Sequence, residues 1–378
     1  MTAFSGSFST VDLDDTEALL AADRDGALWA ASMAGAQVRA TAATVDEGAL
    51  DAVRSDSRDY PPRTVIWLST RGTAATAGSL LAATRGDSAR APLVLAAEVP
   101  SWIGSLDVLI VAGDDPGDPA LVAAAAAGVR RGARVVVVAP YEGPLRDATA
   151  GRVAVLEPRI AVSAEFGLPR YLAAGLAILD ALEGVAAPTD LGALAEELDA
   201  EALRNSAARE LFTNPAKMLA DRVVGRDVAL AGDCAATLAL ARHGSAAMLR
   251  IGRTTVAATG LADAVNVLRA QSAGGRDVAD LFHDEQIDGP AADRLRVLAL
   301  TLAAERTVVA ARINGLPDVD LIAAGDVPVA PGASEETASP TVPVGGLSPS
   351  GPGRAEQQLA VLAVRLEMAA AYVRLLRG

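Results

Sequence analysis

Two histidines and one cysteine restrict the nucleophilic and metal chemistry open to this chain. His283 is followed by Asp284 and Glu285, and this triplet is the cluster suited to proton transfer, with Glu285 or His283 as the acid or base. An exposed acidic loop carrying a chance histidine would read the same way. Cys234 has no nearby basic residue in sequence to favour its thiolate. His243 falls at the end of a predicted helix, where it would meet the C-terminal carbonyls. There is no G-x-S-x-G elbow, and the sole lysine, Lys217, is not part of a phosphate-loop motif. A dinucleotide fingerprint is missing after the first predicted strand, and one cysteine allows neither a disulfide framework nor a cysteine-rich zinc site.

Ligand-holding material lies instead in short polar turns after apolar runs. The first is Ser69-Thr70-Arg71-Gly72-Thr73, which offers hydroxyls, a small residue and a guanidinium ahead of a helix. That is suitable for an anion at a helix N-terminus, and equally for an ordinary capped turn. The second, Gly113-Asp114-Asp115-Pro116-Gly117-Asp118, carries three aspartates. Carboxylates beside first-turn amides are themselves stabilised there and repel a phosphate that would use those amides. Asp114, Asp115 and Asp118 therefore cap the helix, receive an arginine or hold a divalent cation. Tyr141-Glu142-Gly143 and Gly232-Asp233-Cys234 occupy comparable positions after later runs.

The elements behind these turns follow from patterning. Of 378 residues, 51% are hydrophobic, enough for a large core, and the formal charge is −14. That acidic balance argues against nucleic acid or an anionic membrane as partner. The first 15 residues have no basic, apolar leader and the apolar runs fall short of the roughly 20 residues of a membrane helix, so a cytoplasmic protein is expected. Runs 63–69, 92–96, 107–112 and 134–139 are apolar nearly throughout, as strands covered on both faces are. Helical stretches near 73–84 and 118–131 separate them. Residues 164–224 read as a long helical connection. A second series follows, with strands at 227–231, 295–302 and 319–323 and helices near 235–242 and 305–313.

The fold class is thus α/β, with two doubly wound domains of parallel sheet plus N- and C-terminal helices. The expected partition is a helical segment 1–62, a first sheet domain 63–185, a helical connection 186–224, a second sheet domain 225–325, a Pro/Gly-rich linker 326–353 and a C-terminal helix 354–378. Leu359, Leu362, Leu366, Ala370, Val373 and Leu376 give that last helix one apolar stripe.

The stretch from Val108 to Ala139, with its Arg-Arg-Gly-Ala ending and Val-rich strand, resembles the sugar isomerase (SIS) domain. Leu13-Asp14-Asp15 through Arg39, Gly72 and Gly78, Leu168-Pro169-Arg170, Phe282 to Gly289 and the final helix from Ala369 are similar to segments of the bifunctional phosphoglucose/phosphomannose isomerases. In particular the chain resembles a divergent actinobacterial subgroup, the TobH-like SIS proteins. The resemblance implies two SIS domains, a sugar-phosphate ligand, no cofactor or metal, and a homodimer.

Departures from that family's pattern concern its chemistry. Its phosphate-binding Ser-x-Ser-Gly-x-Thr hydroxyls fall on Gly113, Asp115 and Asp118 when counted back from Gly132-Ala133. Its Glu falls near Leu281 and its His near Asp284, flanked by His283 and Glu285. Its Arg-x-Lys element retains Arg242, with Gly244 in place of the lysine, and no lysine follows Lys217. Two readings result. In one, an active isomerase interconverts glucose or mannose 6-phosphate with fructose 6-phosphate, Ser69, Thr70, Arg71, Gly72 and Thr73 holding phosphate and Glu285 or His283 moving the proton. In the other, catalysis is weak or lost and the chain serves as a sugar-phosphate sensor or a partner of a sugar-nucleotide pathway enzyme. Unit charges about 4 Å apart repel by roughly 4 kcal/mol at an effective dielectric of about 20, which favours the second.

Overall fold

Every strand of the fold is parallel to its neighbours. The computed structural model describes residues 11–184, 188–273, 294–326 and 354–377. Helices α1 (Thr16–Ala22), α2 (Ala27–Ser32), α3 (Ala34–Asp46) and α4 (Asp51–Asp59) come first. The first sheet region follows as β1 (Thr64–Leu68), α5 (Gly72–Arg85), β2 (Leu93–Ala96), β3 (Asp107–Ala112), α6 (Pro119–Arg130), β4 (Arg134–Val138), α7 (Gly143–Thr149) and β5 (Ala154–Val155). The connection comprises α8 (Leu168–Glu183), α9 (Leu191–Arg204) and α10 (Pro215–Val223). The second region is β6 (Val228–Gly232), α11 (Ala235–Arg250), β7 (Ala257–Gly260), α12 (Leu261–Ala273), β8 (Arg296–Leu300), α13 (Arg306–Ile313) and β9 (Val319–Ile322), and α14 (Arg354–Arg377) closes the chain.

Contacts divide the described residues into two units. One contains residues 30–202 and 354–364, and the other residues 11–29, 203–326 and 365–377. The first unit holds a five-stranded sheet of order β2-β1-β3-β4-β5; the second holds a four-stranded sheet of order β7-β6-β8-β9. Both repeat one plan: a first strand lies inside, its successor on one side and the third strand on the other. Each sheet therefore reverses its winding between its first and third strands, at β1/β3 and at β6/β8. The carboxyl ends there diverge and leave room for a ligand.

Burial on both faces explains the continuous apolar runs. Every residue of β3 is buried, and Ile66, Leu68, Leu109, Val111, Val135 and Val137 pack with Leu121, Ala124, Ala125 and Leu145 of α6 and α7. At the amino end of the central strand β3, buried Asp107 accepts hydrogen bonds from Arg63 Nε (3.1 Å) and Nη2 (2.7 Å) and from the Gly104 amide (2.8 Å). That partnership is what permits a carboxylate to begin a buried strand.

Three expectations need correction. β5 and β7 were not foreseen: one has two residues, and the other, Ala-Ala-Thr-Gly, has one β-branched side chain, Thr259, among small residues and is held by backbone pairing to β6. Helix α11 runs to Arg250 rather than ending near 242, so His243 lies in its middle and not at its carbonyl end. α14 is buried all round instead of along one stripe: from Gln357 to Val373 nearly every position is buried, Arg365 and Glu367 included.

In the second unit, buried His243 Nε2 lies 3.0 Å from Glu367 Oε1, while His243 Nδ1 is buried without a partner. Complete burial raises the Glu367 carboxyl above its ordinary value of 4.5, opposed by the His243 hydrogen bond and more weakly by the charges of His243 and Arg250. A carboxyl raised by folding contributes stability that is fully present below its unfolded value and is lost as pH rises through the folded one. The urea midpoint of this unit is therefore expected to fall over that interval. Glu367→Gln keeps a hydrogen-bond partner for His243 and does not ionise, so its profile should be flatter there. Superimposable profiles would contradict the assignment.

Candidate functional site

The reversal point of the first sheet brings together the two turns named from sequence. Ser69 to Gly72 follows β1, and Gly113 to Asp118 follows the neighbouring β3. Gly72 has φ of +70°, a conformation that favours glycine, and opens α5, whose first turn receives no side-chain cap. α6 differs: Asp118 Oδ1 accepts from the Ala120 amide at 2.9 Å, with Pro119 in the first turn.

Each aspartate has its own task. Asp118 is buried, and its Oδ2 accepts a hydrogen bond from the Thr70 hydroxyl at 3.0 Å. Asp115 Oδ1 accepts from the Gly117 amide at 2.8 Å, closing the turn. Arg71 spans both carboxylates, its Nη1 lying 3.7 Å from Asp118 and its Nη2 3.8 Å from Asp115. Arg71 itself is 72% exposed, so this is a screened attraction rather than a locked pair.

Asp114 faces a different guanidinium. Its Oδ1 accepts from Arg170 Nη2 at 2.8 Å and from the Tyr171 hydroxyl at 2.7 Å. The Arg170 guanidinium also lies over the Tyr171 ring, 4.2 Å from its centre. Burial raises the Tyr171 phenol well above its ordinary pKa, the Arg170 charge pulling the other way, so the phenol remains a hydrogen-bond donor. Arg170 Nη1 is buried with no hydrogen-bond partner.

Beside this pair is a cleft of about 400 Å³ lined by Asp114, Pro140, Pro158, Ile160, Ser163, Gly167 and Arg170. Its floor segment is tied to the sheet unit by two side chains. Thr73 Oγ1 donates to the Ala164 carbonyl at 3.0 Å, and Gln37 Nε2 donates to the Phe166 carbonyl at 3.0 Å. Arg159, at the rim, makes a bidentate pair with Glu47.

Ser69, Thr70, Arg71, Gly72, Thr73, Asp114, Asp115 and Asp118 thus lie on two adjacent turns, though the Thr70 and Thr73 hydroxyls are occupied within the chain. Arg242 belongs to the other unit, exposed on α11. His283 and Glu285 lie outside the described residues. Among the described residues no group of three or more His, Cys, Asp or Glu side chains is arranged around a metal position. Cys234 Sγ lies 3.3 Å from Thr237 Oγ1 at the start of α11. Sequence reasoning missed the coupling of Arg170 and Tyr171 to Asp114; the signal available was an aspartate at a strand end without a local cation.

No family model and no curated protein matches this sequence. Solved structures do match over nearly the whole chain. A Silicibacter pomeroyi protein described as a phosphosugar isomerase superposes with TM-score 0.58 at 14% identity, covering 92% of this chain and 95% of its own. The C-terminal domain of glucosamine-fructose-6-phosphate aminotransferase from Francisella tularensis gives 0.56 at 11% identity, covering 93% and 95%. The tagatose-6-phosphate ketose/aldose isomerase of Escherichia coli gives 0.55 at 15% identity, covering 89% and 90%. The chain has the SIS fold. At these identities the likeness is one of architecture alone: two parallel α/β sheets. Among the described residues, no helix is long and apolar enough to cross a membrane.

Proposed function

We propose that this protein is a divergent relative of the phosphoglucose/phosphomannose isomerases with a sugar-phosphate-binding or regulatory role, in which aldose–ketose turnover is weak or absent. One observation carries the reading. Asp118 stands at the turn position where the family resemblance leads one to expect a phosphate-holding hydroxyl, and it spends its two oxygens on the Ala120 amide and the Thr70 hydroxyl. A phosphoryl group placed there would meet a fixed negative charge instead of a donor. Arg71, the remaining cation of the two turns, is shared between Asp115 and Asp118. The likeness in fold to a ketose/aldose isomerase of tagatose 6-phosphate supports a sugar-phosphate-type ligand.

Turnover of fructose 6-phosphate, glucose 6-phosphate and mannose 6-phosphate, followed by coupled assay on the full chain, tests this. The expected kcat is below about 1 per second, under the range of roughly 1–1000 per second of ordinary enzymes. A rate within that range, abolished by Glu285→Gln, would establish an active isomerase instead.

A further inference from the structure

We infer that a cleft in the second unit takes a small organic acid, an apolar body carrying one carboxylate. None of its lining residues belongs to the two turns described above, so turnover or sugar binding there does not bear on it.

The cleft has a volume of about 330 Å³, at the small end of ligand pockets. All the residues that line it fall in the second unit. Pro215, Met218, Leu219 and Arg222 contribute from α10, and their spacing of three, one and three residues puts them on one helical face. Leu321 and Ile322 of the edge strand β9 extend the apolar lining.

The charged lining consists of Arg222, Arg306, Arg365 and Asp326. Three guanidiniums thus face one carboxylate, and that carboxylate is committed. Asp326 Oδ1 accepts from Arg306, and its Oδ2 accepts from the Ala323 amide at 2.8 Å. Arg365 is buried, and its Nη1 and Nη2 donate to the Ala323 and Ala324 carbonyls at 2.9 and 3.0 Å, which fixes its charge at the cleft wall.

Arg222 points to the ligand. Its side chain is 25% exposed, and its nearest ion-pair contact is long: Nε lies 3.9 Å from Asp320 Oδ2. That oxygen already accepts from Arg296 Nε at 2.6 Å, and Asp318 and Asp221 act on the same Arg296. Arg222 therefore donates no hydrogen bond among the described residues, yet none of its nitrogens is closed off from solvent. A guanidinium presents a planar fork of donors that a carboxylate matches with two parallel bonds.

The lining combines two requirements. An acid without an apolar body gains only a screened pair with Arg222. An apolar amide covers Met218, Leu219, Leu321 and Ile322 but gives the fork a neutral acceptor in place of an anion. A carboxylate on an apolar body meets both, adding buried apolar area to a charge-assisted bidentate contact.

Calorimetric titration of the full chain with phenylacetate and with 4-methylpentanoate, each against its own primary amide and against acetate, tests the inference. At least one of the two acids is expected to bind at least tenfold more tightly than its amide and than acetate. Arg222→Gln, which removes the charge and breaks no hydrogen bond among the described residues, is expected to weaken that acid at least tenfold with an unchanged urea midpoint. Binding of neither acid, equal binding of acid and amide, or selective binding that Arg222→Gln leaves unaltered would overturn the inference. Should Arg222→Gln not fold, Gly325→Leu takes its place. Gly325 also lines the cleft, and a Cβ there meets nothing within 4 Å, so the added bulk occupies open space. It is expected to weaken the acid at least tenfold as well, and unaltered binding in that variant would count against the site in the same way.

Discussion

Lys217→Met is expected to lower the stability of the second unit by about 3 kcal/mol or more, seen as a reduced urea midpoint. Lys217, the only lysine in the chain, is fully buried in α10. Its Nζ donates to the carbonyls of Ala207 at 2.9 Å and Arg209 at 2.6 Å, and lies 5.7 Å from the Tyr372 ring. Burial lowers the ammonium's pKa, against the opposing pull of Asp14 and Asp12, so the two carbonyls are what compensate its desolvation. The same stretch is pinned by neighbours. Asn214 caps α10 and donates to the Ser206 carbonyl at 3.0 Å, and the Tyr372 hydroxyl donates to the Asn205 carbonyl at 2.7 Å. Methionine preserves the apolar stem and removes only the charged head, leaving both carbonyls without their donor. Hydrogen bonds to charged groups contribute roughly 1.5–3 kcal/mol each, which sets the estimate. An unchanged midpoint would show that Lys217 is a passenger.

The first unit has an equally sharp test in Gly78→Val. A Cβ at Gly78 would come within 2.4 Å of Trp67 Cδ1 and 2.7 Å of its Nε1. On the other side, a Cβ at Gly175 would lie 2.9 Å from Trp67 Cζ3 and 2.2 Å from Leu81 Cδ1. The indole of β1 is therefore clasped by glycines of α5 and α8. It has little freedom to retreat, being 1% exposed with Nε1 donating to the Ala74 carbonyl at 3.0 Å. Overpacking a well-packed site costs about 1–3 kcal/mol, and the upper end is expected where the crowded ring cannot retreat. Trp67→Leu should be destabilising alone, through the cavity it leaves. Combined with Gly78→Val it should cost less than the two single changes together, with a coupling of about 1–3 kcal/mol. Strict additivity would mean that the two side chains do not meet. Far-ultraviolet circular dichroism reads the urea transition in all four proteins, including the two that lack Trp67.

Particular elements show where sequence reading succeeds. β1, β3 and β4 are dense in Val, Ile and Leu because they are covered on both faces, and a continuous apolar run is the direct consequence. β7 escaped notice because edge pairing to β6 uses backbone groups alone, which leave no mark on residue type. The C-terminal helix was misjudged for another reason. Its charged residues suggested an exposed face, but Arg365 is buried and donates to the carbonyls of Ala323 and Ala324, and Glu367 pairs with His243. Such partners lie far away in sequence, so periodicity alone assigns these positions to solvent.

The site divides along the same line. By itself, the sequence established that two polar turns end apolar runs and that one of them is acidic, since strand ends and helix caps are written within a few consecutive residues. Which carboxylate meets which cation was decided only in three dimensions. Thr70 reaches Asp118 across 48 residues and Arg170 reaches Asp114 across 56. Those pairings exist because the sheet places β1 beside β3 and α8 returns to their carboxyl ends, an adjacency that no local pattern encodes.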